Sequence, residues 1–149
     1  MAGYPFDITL KPIGTVKSEI TQPLRRDFKD IISEIIIDDS LTEALDNLDE
    51  FSHIIVLYWM HRSSGQPPKK VRPMGKPGLP LVGLFASRAP HRPNPIGKTT
   101  VRLLKRESNV LKVKGLDAID GTPVIDIKPY IPGYESVTRA RVPPWVVKR

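Results

Sequence analysis

The amino-acid sequence predicts a mainly β protein, a single-domain β-barrel with one or two short helices. Three features point there. The chain has 149 residues, of which 40% are hydrophobic, enough for one domain with a core of its own. Short β-branched or aromatic runs recur, each bounded by Gly, Pro or Asp. Helix-start chemistry stands out in one place only, and a chain of short strands manages its edges by closing on itself.

The elements follow in order. "ITLKPIGTV" (Ile8 to Val16) and "SEIIID" (Ser33 to Asp38) read as strands. Ser40 with Glu43 forms a capping-box pattern ahead of Leu41, Leu45 and Leu48, which predicts a short helix from Leu41 to about Leu48. "FSHIIVLYWMH" (Phe51 to His61) is the most apolar run and predicts a central strand buried on both faces. A proline-rich basic loop follows from Arg62 to Pro80, then an apolar strand, "LVGLFA" (Leu81 to Ala86). "TTVRLLKR" (Thr99 to Arg106) and the alternating "NVLKVKGL" (Asn109 to Leu116) are the next two. Asp120-Gly121 is a hairpin-type dipeptide, with "TPVIDIKPY" returning after it. The tail from Ile131 onward is basic and rich in proline. No internal linker divides the chain, so residues 1–149 read as one domain.

Charge is unevenly spread. The net charge is +7, yet residues 1–60 hold 5 Lys/Arg against 11 Asp/Glu, while residues 61–149 hold 18 against 5. Between Phe51 and Arg106 there is no acid at all. An uncompensated basic run attracts polyanions, above all a phosphate backbone; the plainer reading is a solvated face that keeps the protein soluble. The apolar stretches are too short to span a bilayer and no signal-like segment opens the chain, so a cytoplasmic protein without membrane attachment is expected.

Several chemistries are excluded by residue type or spacing. With no cysteine, the chain has no thiolate nucleophile, disulfide or cysteine-ligated metal. No two glycines are one residue apart, so the Rossmann G-x-G-x-x-G is missing, and no P-loop, H-E-x-x-H or G-x-S-x-G occurs. His53 and His61 lie eight apart on one strand, about 26 Å at strand rise, and cannot share an ion. No metal site is therefore expected. His53 reads as a hydrogen-bonded core histidine, whereas His61 and His91 each adjoin an arginine and a loop. Asp117 and Asp120 flank the turn in "GLDAIDGTP". Turn chemistry explains Asp120 well and Asp117 less well.

"SRAPHRPNPIGKTT" (Ser87 to Thr100) is the most unusual segment. Pro90, Pro93 and Pro95 hold Ala89, Arg92 and Asn94 extended. Such a loop presents Arg88, His91, Arg92, Asn94 and Lys98 with little entropy left to lose on binding. A rigid connection alone does not call for two arginines, a histidine and an asparagine.

Together "PIGTVKS", "FSHIIVLYWMHR", "LFASRAPHRPNPIG" and "GLDAIDGTPVIDIKPYIP", in this order and covering about residues 12–132, closely resemble the TsaA-like family, known through its TrmO members. The resemblance implies a single-domain barrel that forms a homodimer and binds S-adenosyl-methionine near the subunit interface. It also implies N6-methylation of the threonylcarbamoyl-adenosine beside the anticodon of a transfer RNA. By the same likeness His61, Arg62, Arg88, Lys98, Leu116, Asp117 and Asp120 are cofactor-binding candidates. His91, Arg92 and Asn94 would face the reacting adenosine in the anticodon loop or shape its pocket. Many members carry Pro-Arg-Gln in an early loop; here it reads "SEITQPLRRDF", which makes Gln22, with Thr21 and Pro23, the candidate there. Members often carry a further C-terminal domain. The rival reading is a non-catalytic RNA-binding barrel, which shares the basic half and the prolines but needs no cofactor pocket.

Overall fold

The computed structural model describes residues 3, 6–23, 27–63 and 65–146. Eight strands run in the order β1 (Gly14–Lys17), β2 (Ile32–Ile37), β3 (His53–Trp59), β4 (Lys70–Val71), β5 (Val82–Gly83), β6 (Ile96–Glu107), β7 (Val110–Lys114) and β8 (Pro123–Pro129). Six of them close a barrel, β1-β2-β7-β6-β3-β8, and β4 and β5 form a separate two-stranded ribbon. Every neighbouring pair is antiparallel. The expected mainly β barrel is thus the observed one. One short helix, α1, covers Pro132–Glu135, and no helix among the described residues is long and apolar enough to cross a membrane.

Alternation builds the core. Val16, Ile35, Ile37, Ile54, Val56, Val101, Leu111, Val113 and Val124 point inward and are almost fully buried. Each such side chain contributes roughly 1.5–3 kcal/mol by leaving water. Register shifts between Leu57 and Tyr58 against β8, and between Leu103 and Lys105 against β7, bend the strands where the barrel must curve. In β3, Ile54, Ile55 and Val56 are buried in succession, as the unbroken apolar run suggested.

Five local expectations change. The opening strand is shorter than Ile8 to Val16: it covers only Gly14–Lys17, and residues 8–13 lie outside any strand. The segment after β2 is a 3-10 helix, Asp39–Leu45, followed by a second turn, Leu48–Glu50, rather than one α-helix. Its cap is Asp38, whose carboxylate accepts from both the backbone N–H and the hydroxyl of Ser40; those two bonds hold its pKa below the usual carboxylate range. Arg106 and Asn109 fix this segment to the barrel through Asp46, Thr42 and Asp39, which favours a tight local path over a free amphipathic helix. "LVGLFA" is not a buried strand: only Val82 and Gly83 pair, with β4, and Leu84–Ala86 turn as a 3-10 helix that leaves Phe85 80% exposed. A short apolar run cannot by itself distinguish a barrel strand from an outlying ribbon.

Asp120-Gly121 is a turn but not a hairpin, because β7 and β8 do not pair. It docks on β1 instead: Asp120 N–H donates to the Ile20 carbonyl, its carboxylate accepts from Ser18 N–H, and Gly121, at φ 81°, donates to the Val16 carbonyl. The tight hairpin lies elsewhere, at Ser108–Asn109, where Glu107 pairs with Val110. Finally, His53 is exposed, its ring bonded to the Ser52 hydroxyl and set edge-on to Tyr130, so it is not a core histidine.

Tyr58 joins three parts of the fold. Its hydroxyl lies 2.8 Å from Thr99 Oγ1 on β6 and donates to the Asp117 carbonyl, at 2.8 Å, in the β7–β8 connection. Its ring rests against Gly97, where any Cβ would overlap the ring carbons. Gly97→Ala is therefore expected to cost about 1–3 kcal/mol of stability by overpacking and to lower Tm by several degrees. An unchanged calorimetric Tm would show that the ring can move aside.

Burial pushes the Tyr58 phenol up to about 12, with the Asp117 charge adding to the effect and the Thr99 bond opposing it. The unfolded chain titrates near the ordinary value of about 10. Below that pH both states keep the proton and the contribution of the buried phenol is complete. From about pH 10 to about 12 the unfolded state loses the proton first, so stability falls as pH rises. Tyr58→Phe is expected to lose about 1–2 kcal/mol at neutral pH, leaving the Asp117 carbonyl without its donor. It should also lack the alkaline slope, so the gap to wild type narrows above about pH 10. Urea midpoints at neutral and alkaline pH test both; parallel losses in the two proteins would refute the assignment.

Candidate functional site

Strand direction decides where the motifs meet. β1 and β3 run the same way, since both are antiparallel to β8, and β2 starts where β7 ends. Three connections therefore emerge at one end of the barrel: β1–β2 (residues 18–31), β3–β6 (residues 60–95) and β7–β8 (residues 115–122). Gln22 lies on the first. His61, Arg62, Arg88, His91, Arg92 and Asn94 lie on the second, with Lys98 just inside β6. Leu116, Asp117 and Asp120 lie on the third. Every candidate site residue read from the sequence thus belongs to the same rim.

The rim is organised from within. Ile20, Ile31 and Ile119, with Phe28 against them, form a small apolar cluster that joins the first and third connections. Gly115, at φ 97°, donates to the Ile31 carbonyl in the same seam. Tyr58 fastens the third connection to β3 and β6. Met60 N–H donates to the Pro95 carbonyl at 2.8 Å, closing the neck of the long second connection.

Within that connection Arg92 is a staple. Its Nη1 donates to the carbonyls of Ser87 at 2.9 Å and Ala89 at 3.1 Å, and its guanidinium lies 5.7 Å from the centre of the Phe85 ring. Ser87 adds a hydroxyl bond to the Leu84 carbonyl and receives Ala89 N–H. Composition credited the stiffness of this loop to its prolines; the arginine supplies much of it.

The candidates divide accordingly. Arg62, Arg88, His91 and Lys98 are exposed, and their side chains make no hydrogen bond or ion pair among the described residues. His61, Gln22 and Asn94 are also exposed. Asp117 is exposed, with its carbonyl held by Tyr58. Leu116 is fully buried in the main core, so its side chain is packing and not exposed on the rim. The Asp120 carboxylate accepts from Ser18 N–H through Oδ1, a contact across the fold rather than a local turn bond. Sequence reasoning missed the tethering role of Tyr58 and Thr99; the polar hydroxyls inside otherwise apolar strands were the available signal.

The rim is polar and open. A depression of about 420 Å³ lies at the other end, between Pro12, Ile37, Asp38 and Asn109. Its walls offer neither unpartnered cations nor an exposed imidazole, so its size does not make it the better site. No group of three His, Asp or Glu that could hold a metal occurs among the described residues.

Comparison with known proteins agrees with this architecture. An archaeal protein from Archaeoglobus fulgidus, named S-adenosyl-L-methionine-binding protein, is 46% identical over 134 residues, which cover 87% of this chain and 94% of its own. A mouse protein named tRNA (adenine(37)-N6)-methyltransferase is 46% identical over 94 residues, 62% of this chain but 22% of its own. The crystal structure of TrmO from Pseudomonas aeruginosa superposes with a TM-score of 0.74 at 32% identity, covering 91% of this chain. The present chain spans 62% of that one. The family model of the tRNA-methyltransferase O N-terminal domain matches residues 16–136. With a closed six-stranded barrel, the motif-bearing connections on one rim and this match over most of its length, the chain belongs to the tRNA-methyltransferase O N-terminal domain family.

Proposed function

We propose that this protein is an S-adenosyl-methionine-dependent methyltransferase acting on transfer RNA, and that its acceptor is N6 of the threonylcarbamoyl-adenosine next to the anticodon. The observation that carries the reading is the gathering of Arg62, Arg88, Lys98, His91 and Asp117 on one rim, four of them cations or an imidazole with no side-chain partner. Their chemistry fits the donor. S-adenosyl-methionine carries a carboxylate, an ammonium, ribose hydroxyls and a sulfonium whose methyl is electrophilic. Arg88, with Arg62 or Lys98, matches the carboxylate through charge-assisted bonds. Asp117 and the backbone around Leu116 match the hydroxyls or the ammonium. Asp120 serves by fixing that turn rather than by contact.

On the acceptor side, His91 and Asn94 project from the segment that Arg92 staples. His91 is the candidate to take the proton released when N6 gains its methyl. Arg92 is a positioning residue here, since its guanidinium is taken up by loop carbonyls. Holding donor and acceptor in line supplies much of the acceleration, so the absence of an acid–base dyad is no obstacle. The adenosine reaches such a rim only if unstacked, as in a loop. A homodimer, with one copy closing the open rim of the other, completes the proposal.

Calorimetric titration with S-adenosyl-methionine tests the cofactor; no heat at millimolar ligand would leave a non-catalytic RNA-binding barrel. If the cofactor binds, incubation with whole transfer RNA and mass spectrometry of the nucleosides names the product. Arg88→Ala is expected to weaken cofactor binding roughly 10- to 100-fold, the loss of a charge-assisted bond, with Tm unchanged because the side chain is exposed. Arg92→Ala should lower Tm as well as activity, because it releases the loop. The reverse pattern would exchange the roles assigned to the two arginines.

A further inference from the structure

Phe85 is the most exposed aromatic ring on the motif-bearing connections, at 80% of its full accessibility, and it is not left there by a loose loop. Leu84–Ala86 is a 3-10 turn, Ser87 N–H and hydroxyl both bond back to the Leu84 carbonyl, and Leu84 N–H donates to the Lys69 carbonyl at 2.9 Å. The guanidinium of Arg92 stands over the ring, and Arg92 is itself pinned by two carbonyls. The ring therefore has one side backed by a fixed cation and the other turned to solvent. Around it run exposed cations: Lys69 and Lys70 on or beside β4, which pairs with β5 immediately before Leu84, and Arg88 three residues on. No acid occurs between Phe51 and Arg106 to neutralise them.

An apolar ring this exposed usually ends in the core or under a partner. A rigid, cation-backed ring within a basic, acid-free surface has the composition of a stacking platform for single-stranded nucleic acid, where bases lie on aromatic faces and cations follow the backbone. We infer that Phe85 stacks on one unstacked base of the RNA loop, with Arg92 holding the ring and Lys69 and Lys70 taking the adjacent phosphates. The inference rests on the transfer RNA reading above and adds to it a contact that selects for a splayed loop. Stacking tolerates any base, so Phe85 would strengthen binding without choosing the sequence.

The test uses the whole chain and a fluorescent RNA stem-loop copied from an anticodon arm, together with a set in which each loop nucleotide in turn is abasic. Phe85→Ala is expected to weaken binding of the intact stem-loop roughly 5- to 150-fold, while Phe85→Trp, which keeps a stacking face, stays close to wild type. For one abasic position the alanine variant should lose nothing further, which identifies the stacked base. Cofactor affinity and Tm should be unchanged in Phe85→Trp, which keeps a ring under Arg92, so a change in its RNA binding would report on stacking alone. Equal RNA affinity of wild type and Phe85→Ala would overturn the inference, as would a loss of the same size on every abasic stem-loop. It would also fall if Phe85→Ala altered only the oligomeric state by light scattering, since the ring would then be covered by a second copy. Failure of the wild type to bind S-adenosyl-methionine would defeat the methyl-transfer reading alone; a Phe85-dependent coupling seen in that same protein would still support the platform.

Discussion

The Tyr58 hydroxyl is the point on which the working end of this barrel depends. Strand pairing closes the barrel wall, but it does not set the connections above it. β7 ends at Lys114, opposite Arg102, so the stretch of β6 from Ile96 to Val101 has β3 on one side and no β7 residue on the other. The β7–β8 connection fills that gap, and a buried phenol holds it there through Asp117. The cost of burying the hydroxyl is offset by two short bonds. The site is thereby built on the strands rather than suspended from them. Gly97 follows from the same constraint, because the ring needs the space a side chain would take.

Much of the acid of the first half of the chain is held at one end of the barrel. The carboxylates at Asp38, Asp39, Glu43, Asp46, Asp49 and Glu50 lie in the 3-10 segments that follow β2, at the end away from the candidate site. The acid-free stretch from Phe51 to Arg106 supplies the long connection at the other end. A polyanion approaching such a molecule is turned toward the basic rim before any contact is made. The field also sets a difficulty for the proposed donor, whose sulfonium is itself cationic. Asp117, on the same rim, carries a charge of the sign that offsets that repulsion.

How much of this was legible in the sequence depended on the kind of signal. The strict alternation of Leu111 and Val113 with Lys112 specified β7 and its inward face correctly. Turn residues placed chain reversals but not their partners: Asp120-Gly121 turns as expected, yet the chain returns to β1, a pairing that no local pattern encodes. Short apolar runs were the weakest guide, and "LVGLFA" became a ribbon edge and an exposed ring because nothing in its composition told the core from the surface. For the site, motif likeness named residues and strand direction brought them together. Neither could tell which side chains are already occupied. Arg88 and Arg92 have the same charge and stand four residues apart, and only the carbonyls of Ser87 and Ala89 separate a free cation from a spent one.

That separation bears on how a loop with three prolines functions. Prolines narrow the backbone of the unfolded and folded states alike, so they lower the entropy of ordering but do not choose one conformation. A guanidinium that bonds two carbonyls and covers a ring does choose, because the donors are satisfied in one arrangement only. In methyl transfer the reacting groups need to be held in line near contact distance, and a small displacement is expensive in rate. The segment from Phe85 to Lys98 meets that need with fixed elements at three points: the Arg92 staple, the Met60–Pro95 backbone bond at the neck, and the Tyr58–Gly97 contact at its foot on β6. Cations and imidazole projecting between those points keep a constant relation to one another whatever the far part of the connection does, which is what an enzyme that positions rather than activates its substrates requires.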